Sequence, residues 1–533
     1  MNPPGPLVVS LVAPTLDALA AAVDGGAAGH GDLVELRLDH VAGAVVADPG
    51  ALAALVARAG KPVIAALHGG EGFGAFDGDV GTRRAALHAA ADAGAAYVDV
   101  DERFAAEVGE LGVPRILSTH REARTVEELD ALARRLDDLR VPGRDLVKLV
   151  PPAGEASFGL EVLTWLAARP AGGTVAFCSG EPGSFTRLLA PAYGSALTYA
   201  APEPVAGVPL ETAAPGQLRA SHVRAVWPGR APARTTQIAA VCGDPIGHSA
   251  GPVVHGAALR AVGLDGVLVP FGATPLAPLE RLQAPGAPEH APPLAGLSVT
   301  APFKQAPLGL VGSGALEASG DALAMGAVNT VARAGGWVAS NTDAPAVRAA
   351  LEEAGARLDG ADALVIGAGG AARAAVHALA GAGARVTVAA RRLEAAAALG
   401  ADGAVALSDP ALGELRPDVL VHTTPLGTDG VGEAPIPDEH LRPGVFVLDA
   451  VYRPRRTSLL QRAAERGAAP VEGASWFLHQ AWLQHLLIFA APYGRAFGAD
   501  GPPPELARAA MAAMGEALAA WLDPGAEGDG GRS

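Results

Sequence analysis

The sequence predicts an α/β protein: an N-terminal (βα)8 TIM barrel, then a two-lobed α/β region that ends in a Rossmann dinucleotide lobe. Three observations carry this reading. Eight short apolar runs, several of them separated by Ala/Leu-rich helical stretches, fill about the first 200 residues. The text between Ala201 and Arg234 turns Pro/Gly-rich, as a domain boundary does. A fresh apolar run, Gln237–Cys242, then opens a second series, in which Val365-Ile366-Gly367-Ala368-Gly369-Gly370-Ala371-Ala372 joins a strand to a helix.

The eight runs begin near Leu7, Asp32, Pro62, Ala96, Pro114, Asp145, Gly173 and Ser195, with helices expected over Thr125–Leu139 and Glu155–Ala168. An open doubly wound sheet also alternates in this way, but eight strands favour the closed barrel. Ala284–Pro293 reads as a surface loop, and the segment after Pro524 as a disordered tail. In the second series, strands are expected over Ala361–Gly367, Arg385–Ala390, Val419–Thr423 and Val445–Val451, with a helix over Ala371–Ala380. The organisation expected is a barrel over 1–225, a linker over 226–236, a lobe over 237–342, the Rossmann lobe over 343–472, returning helices over 473–522 and a tail over 523–533.

Composition narrows the function. The chain has 533 residues, half of them hydrophobic, and a net charge of −16 without a basic block. Nucleic acid and anionic membranes are therefore poor partners. Two cysteines, Cys178 and Cys242, leave no disulfide framework and no multi-Cys metal site, and no metal is expected. The N-terminus lacks a basic stretch and carries prolines, and no apolar run reaches membrane length, so a cytoplasmic protein is expected. Only three of the 40 basic residues are lysines: Lys61, Lys148 and Lys304. Arginine stays charged and cannot serve as an amine nucleophile, so a retained lysine is worth attention. Lys61 begins a strand and reads as structural.

In a barrel, chemistry gathers where strands end. The second run ends Glu35-Leu36-Arg37-Leu38-Asp39, the fifth Ser118-Thr119-His120, the sixth holds Lys148, and Phe185-Thr186-Arg187 follows the seventh. Strand alternation puts Glu35 and Arg37 on one side, the lumen. Lys148 sits in an apolar stretch, where desolvation lowers an amine pKa and a neutral amine can attack a carbonyl. His120, one strand away, could move a proton beside that imine.

These residues, with Ala214-Pro215-Gly216-Gln217, resemble type I 3-dehydroquinate dehydratase over roughly residues 7–220. The resemblance implies that Lys148 forms an imine with the C3 ketone of 3-dehydroquinate and that His120 removes a C2 proton and then helps expel the C1 hydroxyl as water. It implies carboxylate binding by Arg187, hydroxyl binding by Glu35 and Arg37, a substrate contact at Glu71, and closure over the substrate by Gln217. The chain departs from the family at His68 (usually Arg), Ala213 (usually Ser) and Thr186 (usually Ser).

In the second series the glycines permit a tight turn, and the helix N-terminus can hold a pyrophosphate. The next strand ends Ala390-Arg391-Arg392. Two arginines there suit a ribose 2′-phosphate and favour NADP over NAD. Cofactor contacts are expected at Gly367, Ala368, Gly369, Gly370, Ala371, Arg391 and Arg392. Gly243-Asp244-Pro245-Ile246-Gly247-His248-Ser249, Ser298-Val299-Thr300-Ala301-Pro302-Phe303-Lys304, Gly326-Ala327-Val328-Asn329-Thr330 and Asn341-Thr342-Asp343 resemble the shikimate dehydrogenase family over about 237–500. That resemblance implies a two-lobed α/β dehydrogenase that reduces 3-dehydroshikimate with NADPH. Lys304 and Asp343 would be its catalytic pair. Ser249, Thr300, Asn329, Tyr452 and Gln480 would bind substrate.

Gly251 stands where the family carries a serine; the lost hydroxyl leaves room for quinate, which bears an extra hydroxyl on the carboxylate carbon. Together the halves describe a fused bifunctional enzyme acting on 3-dehydroquinate, 3-dehydroshikimate and shikimate, with quinate as a further candidate. Two alternatives stay open: a quinate/shikimate dehydrogenase with an impaired barrel, and a non-catalytic hydroxy-acid sensor. The sequence leaves oligomeric state and substrate channelling open.

Overall fold

A computed structural model describes residues 5–69, 74–119, 121–170, 172–247, 249–273, 293–311, 314–498 and 501–523. The chain forms two compact units, residues 1–252 with 263–294, and residues 253–262 with 295–533.

The first unit contains the predicted barrel. Its strands are β1 (Leu7–Leu11), β2 (Leu33–Arg37), β3 (Val63–Ala66), β4 (Tyr97–Asp101), β5 (Arg115–Thr119), β6 (Leu146–Leu149), β7 (Thr174–Ala176) and β8 (Thr198–Ala200). They pair in the order β7-β6-β5-β4-β3-β2-β1-β8, parallel at every step. Parallel strands are covered on both faces, and nearly every residue of these is buried. Between β7 and β8 the closing bonds are few: Ala196 N donates to Thr174 O at 2.8 Å, and Ala176 N to Ser195 Oγ at 3.2 Å.

Local sequence explains the outer helices. Val126–Leu139 starts where Thr125 Oγ1 accepts from Glu128 N, with Glu127 and Glu128 in its positive first turn. Leu129, Ala133 and Leu136 then line the single face that it buries. Lys61 is structural, as expected: its ammonium donates to the carbonyls of Ala28, Gly29 and Gly31 at 2.9, 2.9 and 2.6 Å.

The Pro/Gly-rich stretch holds more structure than its composition suggests. It contains a helix, Ala220–Val226, and Trp227, fully buried, whose Nε1 donates to Leu188 O at 3.1 Å. Within the expected linker, Ala231 and Thr236 are also buried. β9 (Gln237–Cys242) and β10 (Gly266–Phe271) then pair in parallel. The expected loop Ala284–Pro293 (all but Pro293) and the tail from 524 lie outside the described residues.

The second unit continues with β11 (Leu294–Val299), β12 (Glu317–Ala318), β13 (Thr330–Ala334) and β14 (Gly336–Ser340). Here β13 lies antiparallel to both β11 and β14. The Rossmann strands are β15 (Asp362–Ile366), β16 (Arg385–Ala390), β17 (Gly403–Ala406), β18 (Val419–His422), β19 (Phe446–Asp449) and β20 (Ala469–Val471). Their order is β17-β16-β15-β18-β19-β20, all parallel. The order reverses beside β15, which opens the crevice where such sheets bind nucleotides. Among the described residues, no helix is long and apolar enough to cross a membrane.

Two candidate active sites

The first site is the barrel lumen. Lys148, on β6, places its Nζ 2.6 Å from Asp99 Oδ2 and 3.5 Å from Glu35 Oε1. All three groups are buried. The expectation of a lowered lysine pKa is corrected here. Burial does pull the pKa down, but Asp99 and Glu35 outweigh it, and the net shift is upward. The sequence neighbours of Lys148 are apolar; its neighbours in space are acidic.

Asp99 is a site residue that the sequence reading missed. Ser118 Oγ donates to its Oδ1 at 2.6 Å, so the end of β5 holds the carboxylate that holds the lysine. Alternation along Tyr97-Val98-Asp99-Val100-Asp101 puts both aspartates on one side of β4, and that was the available signal. Arg37 pairs with Asp39, Nη2 to Oδ2 at 2.5 Å, and Asp39 Oδ1 also accepts from His68 N at 3.0 Å. Arg37 is thereby fixed at the lumen wall.

A cavity of about 400 Å³, counting its open mouth, is lined by Glu35, Arg37, Lys148, Arg187 and Gln217. The fold therefore gathers these five predicted residues around one space. Arg187 is 2% exposed, stacks over Phe177 at 4.5 Å, and has no hydrogen-bond partner for Nε or Nη2 among the described residues. Burial lowers its pKa to about 10. Gln217 Oε1 is likewise unpartnered. Its loop is fixed by Gly180 N, which donates to Pro215 O at 3.1 Å, and by Gly216, with φ +73. A Cβ on Gly216 would lie 2.3 Å from Gly180 O.

His120 and Glu71 lie outside the described residues. The residues flanking His120 are placed, however. Thr119 Oγ1 and Arg121 Nε both donate to Glu102 Oε1, at 3.1 and 2.9 Å. Two departures from the resemblance, His68 and Ala213, also face the cavity. Glu35, His68 and Asp99 could offer ligand atoms to a cation, within 4.8 Å of one another. The Lys148 ammonium already pairs with two of them, so the cluster reads as a counter-charge for the lysine.

The second site has a simpler centre. Lys304 Nζ lies 2.5 Å from Asp343 Oδ2. Both partners are held by their backbones. Val328 N donates to Lys304 O at 2.7 Å, Asp343 N donates to Asn341 Oδ1 at 2.9 Å, and Trp476 Nε1 donates to Asp343 O at 3.1 Å. Asn329 Oδ1 accepts from Thr342 N at 2.9 Å, and its Nδ2 donates to Gln480 Oε1 at 3.4 Å. Gln480 and Asn329 are thus brought together by Thr342, which sequence reasoning did not single out.

Thr300 follows β11, half-buried. Tyr452 follows β19, its ring 5.1 Å from Phe477, and burial raises its pKa. Ser249 belongs to the first unit, where its Oγ accepts from Gly251 N at 3.2 Å. A Cβ on Gly251 would lie 3.2 Å from Ser249 Oγ.

The glycine loop follows β15. Gly367 has φ +121, and a Cβ there would lie 2.4 Å from Thr423 Oγ1, so the turn needs glycine. Ala368 and Ala371 are half-buried, and Gly369 and Gly370 are exposed at the start of the helix Gly370–Gly381. A Cβ on Gly370 would stand 3.9 Å from Lys304 Cδ, which sets this helix N-terminus beside Lys304. Arg391 and Arg392 follow β16, exposed. An open helix start, bare backbone and two free-standing cations fit a phosphorylated dinucleotide.

Comparison with known proteins gives matches in both halves. Residues 7–228 match the family model described as type I 3-dehydroquinase, and residues 241–331 that of the shikimate dehydrogenase substrate binding domain. The chloroplastic bifunctional 3-dehydroquinate dehydratase/shikimate dehydrogenase of Arabidopsis thaliana is 30% identical over 494 residues, covering 86% of this chain and 78% of that protein. Shikimate dehydrogenase (NADP(+)) of Halobacterium salinarum is 39% identical over 284 residues, covering 52% of this chain and 97% of that protein. A crystal structure of shikimate 5-dehydrogenase from Thermus thermophilus, in complex with NADP(H) and shikimate, is 32% identical, covers 52% of this chain and 100% of its own, and superposes with a TM-score of 0.43.

Proposed function

We infer how this chain works from one premise: it belongs to the family of bifunctional 3-dehydroquinate dehydratase/shikimate dehydrogenases. It couples a lyase, converting 3-dehydroquinate to 3-dehydroshikimate, to an NADP-dependent oxidoreductase that yields shikimate. The observation that carries the catalytic reading is that the chain has two lysines outside its structural one, and each is paired with a carboxylate within 2.6 Å in its own half.

In the barrel, Lys148 is the nucleophile. It rests as an ammonium, so the attacking amine appears only once a proton has left, and Asp99 and Glu35 are the adjacent acceptors. The amine adds to the C3 ketone, and loss of water gives the imine. That imine is an electron sink for the carbanion formed when His120 takes the C2 proton, and the C1 hydroxyl then leaves as water. Arg187 offers its two unpartnered donors to the substrate carboxylate. Arg37, Glu35 and Glu71 meet ring hydroxyls, and Gln217 closes the mouth.

In the dehydrogenase, Lys304 polarises the 3-dehydroshikimate ketone and gives a proton to the oxygen as negative charge develops on it. Asp343 orients the ammonium. Thr300, Asn329, Tyr452 and Gln480 hold the ring, and Ser249 the carboxylate. NADPH, when bound, supplies the hydride. Gly367, Ala368, Gly369, Gly370 and Ala371 present backbone to its pyrophosphate, and Arg391 and Arg392 face its 2′-phosphate.

The domain limits that serve this reading are 1–225 for the dehydratase, 226–236 for the connection, 237–342 for the substrate lobe, 343–472 for the NADP lobe, and 473–522 for the returning helices, with 523–533 as a tail. A cytoplasmic setting is part of the proposal, supported by two unpaired, buried cysteines. Quinate is a second reading for the dehydrogenase substrate, supported by Gly251, which lacks the hydroxyl of the serine that the family carries there.

The test combines two assays with one mapping. Absorbance should report dehydroquinate loss and, separately, NADPH oxidation with 3-dehydroshikimate. Borohydride added with dehydroquinate should leave a reduced adduct on the peptide containing Lys148. Turnover without an adduct there would end the covalent reading.

A further inference from the structure

Tyr199 lies on β8, 3% exposed. The Lys148 ammonium sits 4.5 Å from the centre of its ring. Its hydroxyl lies within the electrostatic reach of that ammonium, and it completes a well-formed hydrogen bond with no described residue. The same hydroxyl-bearing ring lines the cavity together with Arg187 and Gln217, whose unpartnered atoms await a ligand. A buried phenol normally finds a partner, because leaving one unmade costs on the order of 1–3 kcal/mol. Here the missing partner belongs to the bound state.

The ring itself has a clear structural duty. It packs against Phe177 at 5.7 Å and gives the ammonium an aromatic face, and phenylalanine could do both. The hydroxyl is therefore the unexplained atom. Burial raises its pKa, so it remains O–H at any working pH and can donate.

We propose that the Tyr199 hydroxyl is a further catalytic group of the dehydratase, a proton relay between Lys148 Nζ and the departing C3 oxygen. This rests on Lys148 being the imine-forming amine. The step balances without a co-reactant. An ammonium and a ketone become a protonated imine and one water: the C–N bond forms, the C–O bond breaks, and the oxygen leaves with two protons that began on nitrogen. One of these passes through the phenol. Tyr199 Oη accepts a proton from nitrogen as it gives its own to the carbinolamine oxygen, and ends neutral as it began. In the hydrolysis that releases product, the same relay runs backwards.

The experiment uses the full-length chain and Tyr199→Phe, which keeps the ring. Adduct formation at Lys148 is timed by rapid mixing with saturating 3-dehydroquinate, borohydride quench and mass spectrometry. A thermal melt of the same preparation that matches the unsubstituted protein reports that the barrel is folded. The expected result is adduct formation slowed about a hundredfold at saturation, the scale of a single general acid–base group. An unchanged rate, or a loss confined to affinity with the saturated rate preserved, would overturn the relay. If the unsubstituted enzyme gives no adduct while turning over, the Lys148 reading fails, and the relay falls with it.

Discussion

Asp99 Oδ2 and Lys148 Nζ are 2.6 Å apart, and the carboxylate, not the apolar sequence around the lysine, sets the resting charge of the amine. A lysine with a raised pKa contributes stability that is fully present below its ordinary value near 10.5 and lost only as pH climbs through the higher folded value. Asp99→Asn keeps the shape and removes the charge. The pH at which borohydride trapping reaches half its maximum should move down by about a unit or more, because the free amine becomes accessible at lower pH. A midpoint that stays in place would show that Asp99 does not govern Lys148.

His255 and His485 form a buried imidazole pair in the second unit, with Nδ1 atoms 3.3 Å apart. His485 Nε2 reaches Tyr493 Oη at 3.1 Å, and Trp482 stacks on its ring. Burial lowers His255 to about 4, and His485 further below its usual value. The unfolded chain takes up these protons near pH 6.5 and the folded chain does not. Stability present above that pH is therefore lost as pH falls toward about 4. Urea melts followed by tryptophan fluorescence should show a lower midpoint at pH 5 than at pH 7.5, with a contribution from His255 of about 2 kcal/mol. His255→Gln should flatten that dependence.

Arg391 and Arg392 stand exposed after β16. Replacing both with alanine should raise KM for NADPH about tenfold or more, since a charge-assisted hydrogen bond is worth roughly 1.5–3 kcal/mol. KM for NADH should hardly move. Equal losses for the two cofactors would remove these arginines from phosphate recognition.

Gly251 carries no side chain beside Ser249, and a Cβ there would already lie 3.2 Å from Ser249 Oγ. Quinate oxidation by the unsubstituted enzyme is the expected consequence. Gly251→Ser should lower kcat/KM for quinate relative to shikimate by roughly tenfold, the usual scale for adding one small group to a pocket. Absence of any quinate turnover would end this reading.

The barrel was legible because parallel strands covered on both faces are written as short apolar runs, and eight of them came in series. Strand ends also pointed to Glu35, Arg37 and Lys148, with alternation giving the side for Glu35 and Arg37, and the loop after the seventh run pointed to Arg187. For Asp99, alternation along β4 marked a side but not a partner. That aspartate meets Lys148 across 49 positions, and no pattern within one strand reports that pairing. Local charge logic therefore gave the wrong sign for the amine. The helix Ala220–Val226 was hidden for a different reason: it is seven residues long and embedded in Pro/Gly-rich text, so periodicity had no room to show. The Asn329–Thr342–Gln480 arrangement joins three segments, and the middle member became visible only in three dimensions.

Lys61, locked onto three backbone oxygens, leaves this protein with no idle side-chain amine, since Lys148 and Lys304 are each held by acids. To an amine-seeking reagent the exterior is close to blank. Labelling at lysine would read out two carboxylate-paired amines and one backbone-bound one, and conventional lysine coupling to a resin or dye would find almost no purchase that did not disturb one of these contacts.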